Sequence, residues 1–277
     1  MSSSPDQTTQ SVEIAGYQCP TKRPIRPVHA VISSAKLMAN RQDTRQVFEV
    51  LNALSGGSSQ RVFARMAQTP YGLRVINGET EFEQKLADDA YLSGLATGTF
   101  GRAFYEFREA SALTPDGIIA ASDETGKDQE IIDRFPEFAR VFRHAELCHD
   151  LWHIITGYGT DALGELCLLG FTRKQTFNNA FRVIIAMGSG AIKLEAPKAP
   201  ILKAIAEGVE NGKNAKFLLG EDIEALLEMP LEEARASMNV AAPTVYASVP
   251  AKEKATYLKP RITKTQTERE QGVAAAA

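Results

Sequence analysis

The sequence predicts an all-α protein, a single multi-helix domain with flexible N- and C-terminal tails. Three observations carry this. Apolar residues recur at three- and four-residue spacing from about residue 27 to 240. No alternating strand run of useful length is found, and no glycine-rich phosphate loop or repeat of about 20–50 residues. The 277-residue chain is 44% hydrophobic and 23% charged, an ordinary globular composition with length enough to bury a core.

Taken in order, residues 1–27 read as a flexible lead-in. They are polar, lack the apolar segment of a secretory signal, and carry Asp6 and Glu13 with arginine only at Arg23 and Arg26, unlike a mitochondrial transit peptide. The helical domain is expected over 28–245. Within it, "DTRQVFEVLNALSGG" begins at Asp43 as an N-cap, lines Val47, Leu51 and Leu54 on one face and stops at Gly56. "SQRVFARMAQTPYG" reads as a short helix ending near Pro70. In "TFGRAFYEFREASAL", Phe100, Phe104 and Phe107 form a stripe best explained by core packing, and Gly101 marks the close approach of a helix or a ligand. "TPDGIIAASDETGKDQE" is a loop, with Ile118 and Ile119 tucked down. "FPEFARVFRHAELCHDLWHIITG" is a long helix with Pro136 in its first turn and Gly157 at its end, and Thr160 or Asp161 caps the next. "QTFNNAFRVIIAMGSGAIKL" is largely apolar; "ILKAIAEGVENGKNAKFLL" and "EDIEALLEMPLEEARASM" are two further amphipathic helices. Residues 246–277, polar and ending in alanines, read as a disordered tail.

Composition removes several classes of function. A net charge of −3 supplies no phosphate-neutralising excess, so no nucleic-acid partner is expected. Cys19, Cys148 and Cys167 are odd in number and lack CxxC spacing, which favours a reducing compartment over a disulfide framework. No run of about eighteen apolar residues exists to span a bilayer.

Chemistry concentrates in "HDLWHIITGYGTDALGE". Three of the four histidines, His144, His149 and His153, fall within ten residues. At about 100° per residue, His149 and His153 share a stripe with Phe138, Phe142, Ala145, Trp152 and Thr156, so both imidazoles point inward, and Asp150 lies at the stripe's edge. Buried imidazoles need partners, and one cation can serve both. His-x-x-x-His is the spacing by which one helix gives a metal two ligands. Glu165, beyond the Gly157–Thr160 turn, sits on a helix that can fold back to supply a third, with Asp150 ligating or adjacent. Core histidines and an acid/base pair remain the alternatives. Asp150 is one methylene too short for the general base of an H-E-x-x-H protease, and the additional ligands of an HD phosphohydrolase find no counterparts. His144 lies about 140° from His149 and is read as solvated or as a support to the ligands.

The stretch His149-Asp150-x-x-His153, followed by eleven residues and Glu165, resembles the signature of the coenzyme Q (ubiquinone) biosynthesis protein 4 family. "HDLWHIITGYGTDALGELCLLGF", "TRQVFEVLNALSG", "GTFGRAFYEF" and "GKNAKFLLGEDIEALLEMPLEEAR" are similar to that family in the same order, over about residues 28–240. Phe104 departs from the pattern, where a tyrosine is expected. The resemblance implies a helical fold and a divalent metal, zinc foremost with iron as another option, held by His149, Asp150, His153 and Glu165. It implies a metal-dependent C1 decarboxylase, a lyase acting with hydroxylation at the same carbon of a 4-hydroxy-3-methoxy-5-polyprenylbenzoate-type precursor. The alternative is a non-catalytic lipid-binding scaffold that organises other ubiquinone biosynthesis enzymes around a structural metal. A polyprenylated aromatic substrate calls for an apolar groove, with "FNNAFRVIIAMGSG" and "CLLGF" as candidate walls or simply buried helix. Arg140, Arg143 and Arg182 are candidates for a carboxylate or headgroup, against the reading of solvated surface cations. Peripheral attachment to a membrane surface is expected, on the inner face of a bacterial cell membrane or, in a eukaryote, on the matrix side of the mitochondrial inner membrane. A homodimer is the expected oligomer.

Overall fold

The computed structural model describes residues 10–39, 44–111 and 128–258. The Asp43 cap and the loop carrying Ile118 and Ile119 lie outside them. Among the described residues the fold is all-helical apart from one small hairpin, as the periodicity predicts. The helices in chain order are α1 (Pro27–Ala39), α2 (Thr44–Leu54), α3 (Ser58–Met66), α4 (Pro70–Asn77), α5 (Phe82–Ala87), α6 (Asp89–Gly94) and α7 (Phe100–Ser111). Then come α8 (Asp128–Arg134), α9 (Pro136–Thr156), α10 (Ala162–Thr176), α11 (Ala180–Glu195) and α12 (Ile201–Asn214). The last four are α13 (Ile223–Glu228), α14 (Leu231–Ser237), α15 (Val245–Ser248) and α16 (Ala251–Lys254).

The long helix α9 runs through the core and buries Val141, Cys148, Leu151, Trp152 and Ile155. Pro136 occupies its first turn, where the missing N–H costs nothing, and Gly157 closes it in the left-handed conformation at φ 75°. The most extensive helix pair is α10 on α12. It depends on Gly208, where a Cβ would stand 2.4 Å from the Cys167 carbonyl oxygen of α10. Cys167, Leu168 and Phe171 of "CLLGF" are fully buried, so these three side chains are packed core and do not line a groove. Gly101 does mark a close approach, of α13: a Cβ there would lie 3.0 Å from the Leu227 carbonyl oxygen. Helices α1 and α2 pair with each other, and α2 rests on α11 through a separate small cluster of Val50, Phe181 and Ile184.

Four expectations change. First, residues 11–20 form a hairpin, β1 (Ser11–Ile14) with β2 (Tyr17–Pro20), pairing Ser11 with Pro20 and Ile14 with Tyr17. Its four-residue strands are too short for alternation to register. Its turn residues, Ala15 at φ 52° and Gly16 at φ 85°, adopt positive angles where Asn or Asp would have signalled a hairpin. Second, Pro70 opens α4 instead of following the end of α3; Thr69 caps that new helix by accepting from the Gly72 N–H. Third, "EDIEALLEMPLEEARASM" is two helices, α13 and α14, because Pro230 cannot continue the first. Fourth, the segment after 245 packs on the domain as far as 258, burying Tyr246, Val249 and Tyr257. It is tied down by Glu207, whose carboxylate accepts the Thr244, Val245 and Tyr246 N–H groups. The expected limits of 28 and 245 are therefore exceeded at both ends by regular structure.

Candidate metal centre

Two helices and the turn between them build the site. α9 presents His149 and His153 one turn apart, their rings 5.1 Å between centroids and nearly perpendicular. The turn 157–160 reverses the chain, and Asp161 caps α10 by accepting from the Leu163 and Gly164 N–H groups. That reversal returns Glu165 to the face of α9. One Glu165 oxygen lies 3.3 Å from His153 Nε2, the other 3.9 Å from His149 Nε2. One donor atom from each of His149, His153 and Glu165 falls within 4.8 Å of the others.

Asp150 is not among the converging atoms. It is partly buried beside them, close enough to feel the charges of His149, His153, Glu165 and Arg108; burial pushes its carboxyl up. His144 is neither solvated nor near the site. It is buried between Phe82 and Tyr71, at 4.9 and 5.8 Å between ring centroids. Burial lowers it to about 4 despite its hydrogen bond to the Leu219 backbone. The Cys148 thiol donates to its Nε2 at 3.6 Å. The 140° offset from His149 points it into another part of the core, because α9 is enclosed on more than one side.

The His153 side chain is 2% exposed, that of His149 28% and that of Glu165 39%, so the trio is closed at one end and open at the other. His153 Nδ1 donates to the Tyr158 carbonyl at 2.9 Å, which leaves Nε2 to face Glu165. Burial pulls the His153 pKa down, but the hydrogen bond and charge of Glu165 outweigh it and the net shift is upward. Glu165 shifts the other way: burial raises its pKa, and His153 overcomes this and holds it ionised. Burial lowers His149 more than its carboxylate neighbours raise it. Two imidazole nitrogens and one carboxylate oxygen, with one imidazole favoured neutral and the carboxylate favoured anionic, form a donor set that could hold a metal ion.

Several residues around the trio were not singled out as site residues. Phe107, assigned to packing, stacks on His153 at 5.9 Å and 21°. Arg108, the next residue, is near enough for its charge to act on Asp150 and is held by the Leu86 carbonyl and Asp89. Tyr246 donates to Asp161 and accepts from the Gly159 N–H, so it grips the turn at two points. The Phe100–Phe104–Phe107 register was the available signal for α7; nothing in the sequence pointed to Tyr246. Of the candidate arginines, Arg140 is engaged by the Ile76 carbonyl and Arg143 by Glu83, and Arg182 is exposed.

A helical domain whose central helix and its neighbour converge two histidines and a glutamate belongs to the class of all-α proteins with a metal-type site between helices. Residues 17–244 match the family described as Coenzyme Q (ubiquinone) biosynthesis protein Coq4, and the chain belongs to that family. It is similar to the "Ubiquinone biosynthesis protein COQ4 homolog, mitochondrial" of Bos taurus, with 26% identity over 197 residues, 70% of each chain. The human protein of the same name is 25% identical over 200 residues, 71% of each chain. The Danio rerio protein is 27% identical over 183 residues, 65% of this chain and 64% of that one. In fold, the chain matches a crystal structure from Nostoc punctiforme PCC 73102, provisionally ascribed to ubiquinone biosynthesis. The TM-score is 0.53 and the identity 19%, covering 79% of this chain and 100% of the other. The place of the family is ubiquinone biosynthesis. No helix among the described residues is long and apolar enough to cross a membrane.

Proposed function

We propose that His149, His153 and Glu165 hold a divalent cation, zinc or iron, and that the protein removes the C1 carboxylate of a polyprenylated 4-hydroxybenzoate-derived ring and installs a hydroxyl there. The observation that carries this reading is the number and exposure of the donors. Among the described residues three converge, and Asp150 stands outside the set. A structural site is normally closed by four protein ligands, whereas three ligands with one solvent-facing side leave room for a substrate group.

The cation, when bound, supplies Lewis-acid stabilisation of charge that builds on the carboxylate and phenolate oxygens. The chain does the rest. The Tyr158 carbonyl keeps the proton of His153 on Nδ1, so Nε2 is available as a donor. Phe107 stacks on the buried imidazole of His153 and helps fix its orientation. Burial raises the Asp150 carboxyl and the charge of Arg108 counters this in part, so Asp150 is proposed to serve beside the trio as a base. The balance is fixed by the chemistry. An aryl carboxylic acid and water give a phenol, carbon dioxide, two protons and two electrons, so an oxidant such as dioxygen must take the electrons. Other enzymes of ubiquinone biosynthesis are the expected partners, and membrane attachment and dimerisation belong to the same reading. The domain is proposed to comprise the helical span from about 28 to 245 together with the hairpin before it and the packed 246–258 segment, which share its core.

The test is purified protein reconstituted with zinc or iron and given a polyprenylated hydroxybenzoate under air, with carbon dioxide release measured from a labelled carboxyl group. Release that disappears in folded His153→Ala and Glu165→Gln variants is the expected result. A wild-type protein that binds the cation and the lipid yet releases no carbon dioxide with either metal sinks the reading and leaves a lipid-binding scaffold.

A further inference from the structure

We propose that the face formed by Ile25, Val28, Val31 and Ile32, edged by Lys22, Arg26 and Lys36, is the surface on which the protein docks to an anionic lipid bilayer. These four side chains are 64, 72, 69 and 50% exposed. Exposed aliphatic residues are unremarkable singly, but Val28, Val31 and Ile32 share the outward side of α1, with Ile25 exposed in the lead-in just before it. The helix is not waiting to turn them inward. Its other face, Ala30, Ser33 and Ser34, is already buried, the pairing with α2 is extensive, and the Arg26 N–H donates to the Ala53 carbonyl at 2.8 Å. His29 Nε2 lies 2.8 Å from Glu49 of α2 and fixes the rotation further. Helical register then places Val28, Val31 and Ile32 on the outward side, with Lys36 beside Ile32 at its margin.

The charge pattern chooses the occupant. Between Glu13 and Asp43 the sequence has no acidic residue, whereas Lys22, Arg23, Arg26, Lys36 and Arg41 fall in that span, in a chain of net charge −3. Lys22, Arg26 and Lys36 are exposed. A short helix with an apolar outer stripe and cations at its margins lies in the interfacial plane of an anionic membrane. A second copy of the same face fits poorly, because a two-fold contact brings like charges together. The patch also lacks the aromatic anchors that concentrate energy in protein interfaces. The inference rests on the lipid substrate proposed above: a helix lying on the bilayer keeps the domain where a polyprenyl chain resides.

The experiment is flotation of the full chain with vesicles of phosphatidylcholine alone and of phosphatidylcholine mixed with phosphatidylglycerol, at low and high salt and without substrate. The expected outcome is co-flotation with the anionic vesicles, weakened by salt, and little with the neutral ones. Combined Lys22→Gln, Arg26→Gln and Lys36→Gln substitutions weaken binding by roughly a hundredfold, at one surface cation's contribution each. Val28→Ser, Val31→Ser and Ile32→Ser together abolish it, with unchanged circular dichroism because these side chains are exposed. As a second measurement, Val31→Cys carries an environment-sensitive dye whose emission shifts to the blue on anionic vesicles; the native Cys19, Cys148 and Cys167 are buried. A serine variant that floats like wild type, or a dye that stays in water while the protein floats, overturns the proposal. So does a wild type that does not float, or one whose serine variant changes only its oligomeric state. Because no substrate is present, failure here leaves the decarboxylase reading standing, and failure of the decarboxylation assay leaves the docking result standing.

Discussion

His153 is constrained at both ring nitrogens, by the Tyr158 carbonyl at 2.9 Å and by Glu165 at 3.3 Å, and this sets what the site does as pH changes. Burial alone would lower the imidazole pKa, but the hydrogen bond and charge of Glu165 outweigh it, so the net shift is upward from 6.5 and favours the protonated form when no cation is bound. A metal ion must displace that proton. Titration calorimetry with zinc near neutral pH should therefore give an enthalpy that varies with the buffer's ionisation enthalpy. The proton release should shrink as pH rises past the His153 range; an enthalpy independent of buffer would contradict the arrangement. His144 behaves oppositely. Its folded pKa of about 4 lies below 6.5, so the unfolded chain takes up the proton first as pH falls. Its contribution is whole above about pH 6.5 and is lost toward pH 4, about 3 kcal/mol in all. Denaturant unfolding in chelator across that window should show the loss, and His144→Leu should flatten the slope whatever it does to absolute stability. The two histidines at i and i+4 were legible in the sequence because one helix fixes their register. The environment of His144 was not, because helical angles give a direction and not what stands in that direction.

Two contacts between elements decide how firmly the site is held. Asp161 caps α10, the helix bearing Glu165, and Tyr246 from α15 bonds both Asp161 and the Gly159 N–H of the turn that aims the Tyr158 carbonyl at His153. Tyr246→Phe removes those bonds while keeping the ring against Tyr158. It should cost about 1–2 kcal/mol of stability and about tenfold in metal affinity. Affinity measured by competition with a chelator checks this, and an unchanged value would mean the turn holds itself. The second contact is α10 against α12. Gly208→Ala places a methyl group 2.4 Å from the Cys167 carbonyl oxygen, a backbone atom that cannot step aside, so the helices must separate at a cost of about 2–3 kcal/mol. Thermal melting should register that loss even with the metal site intact. The caps at Pro136, Gly157 and Asp161 were readable because capping chemistry is local. Residues 245–258 were not, since their order comes from Glu207 and from burying Tyr246, Val249 and Tyr257. These are long-range contacts that a polar segment does not advertise.

At the scale of the molecule, the question is whether the fold depends on the cation. The main apolar cluster runs from Cys19 to Tyr257 and includes Trp152, Leu151 and Ile155 on the same helix as the ligands. Of the three converging side chains, only His153 is fully buried. A zinc finger, by contrast, has too little core to fold without its metal. This domain should therefore stay folded on chelation and lose only the linkage energy of the bound ion. At a hundredfold excess over Kd that energy is about 2.7 kcal/mol, equivalent to a fall in Tm of about 5–10 °C for a domain this large. His153→Ala should melt near the chelated wild type, less the cost of the cavity left beside Phe107, and should no longer respond to chelator. Far-ultraviolet circular dichroism during chelation separates the two roles for the site. A helical signal that persists while metal is lost is what a catalytic centre on a self-sufficient scaffold requires. Cooperative collapse on chelation would make the metal a structural staple, and the three-donor site would then be stabilising the fold on which the proposed chemistry depends.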